Sequence, residues 1–106
     1  MIKYENKEYY TPFELIDFIN DESCRLSKVW QKFCPKWKEV VLLAQINRVL
    51  REARAEKKLN YIRFKKNPDS NKTFYGYTIE EVIDYLEKKS PMVFDIKLIK
   101  QGEKTL

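Results

Sequence analysis

The residues with the clearest capacity for chemistry are a row of cations spaced along one face of a predicted helix. At 100° per residue, one asparagine and four cations between positions 47 and 58 gather on one side of this helix, whereas Glu52 and Glu56 are displaced to its flank. The residues on this side are Asn47, Arg48, Arg51, Arg54 and Lys58, which we call the arginine row. A guanidinium group can form two parallel hydrogen bonds to a phosphate or to the edge of a guanine. The row therefore predicts phosphate contacts, with Asn47 and Arg48 directed at bases.

A basic β-hairpin is predicted directly after this helix. Two strand-like segments, 61–66 and 72–77, flank a turn that contains Asn-Pro-Asp. Its cations are expected to contact phosphates, and these are Arg63, Lys65, Lys66 and Lys72. The tyrosines Tyr61, Tyr75 and Tyr77 either share an exposed face that stacks on unpaired bases or pack into the core. Core packing is the simpler expectation for most of them.

The positive charge of the chain is concentrated in its middle. Residues 1–23 contain two cations and six acids, for a net charge of −4. Residues 24–76 contain fourteen cations and four acids (+10), and residues 77–106 contain five and six (−1). This asymmetry favours a polyanionic partner. An ordinary solvated surface is the alternative, since Arg48 and Glu52 also have the spacing of a surface ion pair.

Two capped helices are predicted to frame the basic region. Each follows a Thr that lies three residues before a Glu, a pattern in which the side chains satisfy free N–H groups of the first turn. One helix starts after Thr11, behind a short hairpin over 2–10, runs to about residue 22 and has Phe13 on its apolar side. The other starts after Thr78 and runs to about residue 89. Segments 10–17 and 77–84 are similar, which either a duplication or shared capping rules would explain.

Two further helices are predicted between these. Ser27 is expected to cap a short helix that ends at Cys34, because a residue that precedes proline disfavours helical geometry. A long helix is predicted over 36–59, and its first half is apolar on nearly all sides and therefore expected to be buried. Residues 92–100 alternate like a final strand, and 101–106 are expected to form a flexible tail.

This order of elements resembles that of winged-helix DNA-binding domains over about residues 11–78. The resemblance implies that the arginine row from Asn47 to Arg54 faces the major groove. It also implies that Lys65, Lys66 and Lys72 touch phosphate from the wing. The resemblance is one of architecture and not of a sequence motif. The chain also departs from the family pattern, since the predicted third helix is longer than usual and the second is short and ends at a proline.

Catalytic and metal chemistry have few candidates in this sequence. There is no histidine, the two cysteines are expected to be free thiols, and no Gly-rich phosphate loop is present. We therefore expect neither enzyme activity nor a cofactor or metal. One alternative is a PD-(D/E)xK nuclease, whose pattern Asp69, Asp95 and Lys97 match. Its second part is also matched by Glu87-Lys88-Lys89, although this segment lies on a predicted helix. The acidic faces of the capped helices could instead hold a cation or contact a basic protein, although a solvated face is the simpler expectation.

The whole chain is predicted to form one α+β domain over residues 1–106, with three to four helices, a β-hairpin and short antiparallel strands. No apolar run is long enough to cross a bilayer, and the cysteine usage indicates the cytoplasm. The favoured function is a non-enzymatic regulatory domain that binds nucleic acid, DNA more than RNA, and a homodimer would suit a palindromic site. The alternative is a stand-alone interaction or inhibitor protein of the phage or mobile-element type, which binds a host protein or nucleoprotein.

Overall fold

Residues 1–91, the part of the chain that this computed structural model describes, contain four α-helices and two β-hairpins. The elements are β1 (Ile2–Tyr4), β2 (Lys7–Tyr9), α1 (Pro12–Asn20), α2 (Arg25–Phe33), α3 (Leu42–Ala55), β3 (Ile62–Phe64), β4 (Phe74–Gly76) and α4 (Ile79–Lys88). The predicted α+β class is confirmed. The strand predicted at 92–100 and the tail at 101–106 lie outside the described residues. No helix of the described part is long and apolar enough to span a membrane.

The first hairpin forms as predicted, with a tight turn between its strands. Ile2 pairs with Tyr9 in an antiparallel register, and the turn residues Glu5 and Asn6 have φ angles of 50° and 66°. Two consecutive left-handed residues match the right-handed twist of the flanking strands, which explains the short connection. β3 and β4 pair in the same antiparallel manner in the second hairpin.

The predicted N-caps of α1 and α4 are confirmed, and α1 also has the reciprocal bond of a full capping box. The Thr11 hydroxyl accepts a hydrogen bond from the Glu14 N–H at 3.3 Å, and the Glu14 carboxylate accepts one from the Thr11 N–H at 3.1 Å. The Thr78 hydroxyl likewise accepts from the Glu81 N–H at 3.3 Å. The Glu81 carboxylate accepts a further hydrogen bond from the side chain of Asn60 at 3.1 Å, so this cap also fixes the segment before β3.

Removal of either cap is expected to destabilise the domain to a similar extent. Thr11→Ala and Thr78→Ala should each lower the free energy of unfolding by about 1 kcal/mol, because each leaves an N–H group of the first helical turn without its side-chain acceptor. Thr73→Ala is the matched control, since this threonine is exposed and lies outside the helices. Urea denaturation measures all three variants. Equal stability of the cap variants and the control would contradict the assigned role.

The start of α2 differs from the prediction. The helix begins at Arg25, not after Ser27, and Ser27 is buried inside it with its hydroxyl accepting from the Gln31 amide at 3.1 Å. The preceding turn is organised by Asp21, whose carboxylate accepts hydrogen bonds from the hydroxyl and the N–H of Ser23. These bonds lower the pKa of Asp21. The prediction was wrong because the turn formed by Asp21 and Ser23 precedes the helix, and the residue at the cap position, Cys24, makes no side-chain cap bond.

The single helix predicted over 36–59 is two elements. Trp37–Glu39 forms a 3-10 turn, Val40 and Val41 are extended, and α3 begins at Leu42. Two consecutive β-branched residues favour the extended backbone, because their side chains lose rotamer freedom in a helix. The expected burial of this half is also wrong, since Val41 is 72% exposed and Ala44 is exposed as well.

α3 also ends earlier than predicted, in a Schellman motif that has no glycine. Lys57 has a φ of 58°, and its N–H donates to the Arg54 carbonyl at 3.0 Å. The Lys58 N–H donates to the Ala53 carbonyl at 3.1 Å. These two bonds satisfy carbonyls at the helix end. Because a lysine occupies the left-handed position that glycine usually takes, the sequence carries no recognisable stop signal there.

The hydrophobic core lies between the four helices, and the side chain of Tyr77 packs into it. Leu15, Trp30, Leu50 and Tyr77 are almost completely buried. Phe13, predicted on the apolar side of α1, is instead 70% exposed. Both cysteines have free thiols, as predicted.

The two similar segments, 10–17 and 77–84, meet at their first residues. Tyr10 and Tyr77 form an antiparallel bridge in which the N–H group of each donates to the carbonyl of the other, at 2.8 and 2.9 Å. Because this exchange is reciprocal, two hairpin-to-helix units are joined at equivalent positions. The bridge fixes the second hairpin beside the start of α1.

Candidate nucleic-acid interface

Three members of the arginine row lie on the exposed face of α3, as predicted. Asn47, Arg48 and Arg51 are exposed. The opposite side of the helix is buried and consists of Ile46, Val49, Leu50 and Ala53. Arg48 forms an exposed ion pair with Glu52 at 3.4 Å, a contact that contributes little to stability. Arg51 has no carboxylate partner among residues 1–91.

Arg54 is held against the second hairpin by aromatic side chains. Its guanidinium group donates a hydrogen bond to the Tyr77 hydroxyl, and its central carbon lies 4.0 Å from the ring centre of Tyr75 and 5.9 Å from that of Tyr61. Burial raises the pKa of Tyr77, while the contact with Arg54 acts in the opposite direction. Tyr77 is therefore a neutral phenol at pH 7 and accepts the bond. The contact connects the arginine row to the hairpin.

Lys58 does not lie on the helical face. The helix ends at Ala55, the left-handed Lys57 turns the chain, and the Lys58 ammonium group lies 3.8 Å from the Glu56 carboxylate. The projection of Lys58 onto the row was wrong because helical periodicity stops at the Schellman motif.

The second hairpin carries tyrosines and one arginine on the same face. Arg63 pairs with Tyr75 across the strands, and alternate residues share a face, so Tyr61 lies on the same side. The Arg63 guanidinium carbon is 5.6 Å from the Tyr75 ring centre, and the rings of Tyr61 and Tyr75 are 5.5 Å apart. Tyr61 is 43% exposed, whereas Tyr77 is fully buried. We call Arg54, Tyr61, Arg63 and Tyr75 the tyrosine–arginine cluster.

Two of the hairpin lysines, Lys66 and Lys72, lie apart from this cluster. The ammonium groups of Lys66 and Lys72 are 4.6 and 5.4 Å from the ring centre of Phe74. Phe74 stacks with Phe64 at 5.9 Å and, by strand alternation, points to the face opposite the cluster. Lys65 is exposed just after β3. The predicted cations of the hairpin are thus divided. By strand alternation, Arg63 and Lys65 share the face of the cluster, whereas Lys66 and Lys72 lie beside Phe74.

Acidic side chains of the capped helices are engaged with cations. Glu14 binds the N-terminal ammonium group, Glu87 pairs with Arg25 at 2.7 Å, and Asp84 pairs with Lys88 at 2.9 Å. Burial acts to raise the pKa of Glu14, but the ammonium group and the bonds of the cap lower it overall. In the described range, no three His, Cys, Asp or Glu side chains are placed to hold a metal ion.

Asp69, the first acid of the nuclease pattern, is part of a turn. Its N–H donates to the Asn67 side chain at 3.0 Å, the usual role of an asparagine in such a segment. Asp95 and Lys97, the other residues of the pattern, lie outside the described residues. The nuclease hypothesis therefore stays untested.

Sequence reasoning missed the association between Arg54 and the hairpin tyrosines. Arg54 and Tyr77 are 23 positions apart, and no rule of local spacing connects them. The available signal was the alternation of aromatic and cationic residues in the hairpin that follows an arginine-rich helix.

Comparison with protein-family models, with curated proteins and with solved structures finds no match to this chain.

Proposed function

We propose that this chain is a small, non-enzymatic regulatory domain that binds DNA through the exposed face of α3 and the second hairpin, in the manner of a winged-helix domain. Asn47 and Arg48 contact base edges in the major groove, where amide and guanidinium groups read adenine and guanine. Arg51, Arg54, Arg63 and Lys65 contact phosphates on either side.

The observation that carries this proposal is the contact between Arg54 and the hairpin. Arg51 and Arg54 are one helical turn apart, and Arg54 lies 4.0 Å from the ring centre of Tyr75. The exposed face of α3 and the cluster face of the hairpin therefore form one continuous basic surface. α3 has 14 residues and a length of roughly 21 Å, enough to lie across a major groove about 12 Å wide. The charge of +10 over residues 24–76 adds long-range attraction for DNA.

Fluorescence anisotropy with a labelled duplex of about 20 base pairs tests the proposal at low salt, where attraction to phosphate is strongest. Arg48→Ala/Arg51→Ala should weaken binding by at least about tenfold, because it removes one base contact and one phosphate contact. Arg54 is left unchanged in this variant, since its contacts also hold the hairpin in place.

Lys28→Ala/Lys32→Ala is the charge-matched control. Both lysines are exposed on α2, which packs mainly against α1 and α4, and neither forms an ion pair within the described chain. This control should lower the affinity much less than Arg48→Ala/Arg51→Ala. Equal losses in the two variants would indicate attraction to the overall charge and not to this surface, and no binding at low salt would refute the proposal.

A further inference from the structure

The tyrosine–arginine cluster holds two positive charges beside one aromatic ring. The guanidinium carbons of Arg54 and Arg63 lie 4.0 and 5.6 Å from the ring centre of Tyr75. Both groups are positively charged, so their mutual interaction is repulsive. Among residues 1–91 neither forms an ion pair with a carboxylate, whereas Arg25 and Arg48 each have a glutamate partner. The cluster is therefore suited to an anion supplied by a ligand.

The orientation of Arg54 suits a phosphate diester. The Tyr77 hydroxyl accepts a hydrogen bond from one of its nitrogens, and the Tyr75 ring lies against the group. The remaining N–H groups are thereby held in a fixed plane, and a planar fork of donors matches the oxygens of a phosphate. Because this geometry exists before the ligand arrives, less conformational entropy is lost on binding.

Tyr61 adds a surface for a flat, uncharged group. Its side chain is 43% exposed, and its ring meets that of Tyr75 at an interplanar angle of 67°, so Tyr75 is not stacked parallel on it. Nucleobases stack on exposed aromatic rings in this way. In a duplex both faces of a base are covered by its neighbours, so only an unpaired base has a face to offer.

We infer that the tyrosine–arginine cluster binds a nucleotide of single-stranded DNA, with Arg54 and Arg63 at the phosphate and Tyr61 against the base. The inference rests on the proposed function, because the cluster is the hairpin end of the same basic surface. It adds an unpaired strand to the ligands of that surface.

Three labelled ligands test this inference by anisotropy: an oligothymidine strand of about ten residues, an abasic strand of the same length and the duplex. The protein should bind the thymidine strand about tenfold more tightly than the abasic strand, which has the phosphates but no bases. Tyr61→Leu should abolish this preference, because leucine keeps an apolar side chain and removes the aromatic plane. Tyr61→Phe should retain it. Phe13→Leu, at an exposed aromatic residue on α1, should also retain it.

Equal affinity of the protein for the thymidine and abasic strands overturns the inference, and duplex binding in the same experiment leaves the proposed function standing. Retention of the preference in Tyr61→Leu overturns it as well. Absence of binding to all three ligands overturns both proposals. Urea denaturation of each variant establishes that a lost preference does not come from a lost fold.

Discussion

Replacement of Tyr77 by alanine is expected to lower the free energy of unfolding by about 3–5 kcal/mol, the range for removal of a fully buried aromatic side chain. The ring has no exposed surface and lies within the core. Its hydroxyl also accepts the hydrogen bond that holds Arg54 to the hairpin. The substitution therefore leaves a cavity where the hairpin meets α3. A loss of this size is a large part of the total stability of a domain of this length.

Tyr77→Phe separates the ring from the hydroxyl. This variant keeps the packing and removes only the acceptor, and water can replace that acceptor because Arg54 is half-exposed. The expected loss is therefore about 1 kcal/mol. Urea denaturation followed by the fluorescence of the buried Trp30 measures both variants. Tyr4→Ala, at an exposed tyrosine of the first hairpin, is the control. Equal losses in Tyr77→Ala and Tyr77→Phe would contradict the role assigned to the ring.

The elements that the sequence predicted best are those determined by neighbouring residues. Thr11 and Thr78 each cap a helix because the interacting Glu N–H lies three positions away, and this distance is visible in the sequence. The first hairpin needed only a polar turn between two short alternating segments. The fold class followed from the order of these local units.

The bounds of α3 were not predictable in the same way. Its start depends on competition between apolar helix-forming residues and the extended preference of Val40 and Val41. Its end depends on Lys57 in a left-handed conformation, which is uncommon for residues other than glycine. Neither bound follows from hydrophobic periodicity. Because the predicted helix was too long, Lys58 was wrongly projected onto the arginine row.

The sequence predicted which residues of α3 are exposed at the candidate site, but it did not predict how α3 and the second hairpin meet there. Asn47, Arg48 and Arg51 are exposed because their spacing on a helix is fixed by geometry. The contacts of Arg54 with Tyr75 and Tyr77 depend on how the hairpin packs beside α3. These contacts join residues that are 21 and 23 positions apart, and such long-range pairing leaves no spacing signal in a single sequence.

The affinity for duplex DNA is expected to fall about 100-fold when monovalent salt rises from about 50 to about 200 mM, if four cations contact phosphate. The four that lie on the continuous basic surface are Arg51, Arg54, Arg63 and Lys65. Each phosphate contact releases a bound counterion, so the logarithm of the affinity falls with the logarithm of the salt concentration by about 0.9 per contact. Arg63→Ala/Lys65→Ala should reduce the fall to about tenfold over the same range. Anisotropy titrations at several salt concentrations measure these slopes.

Asn47→Ala provides the control for this experiment, because it removes a base contact without removing a charge. It should lower the affinity and leave the salt slope unchanged, whereas Arg63→Ala/Lys65→Ala changes the slope itself. A slope near zero for the unmodified protein would contradict the set of phosphate contacts. Absence of duplex binding even at low salt would favour a protein partner, whose association through buried aromatic or arginine anchors depends less steeply on salt.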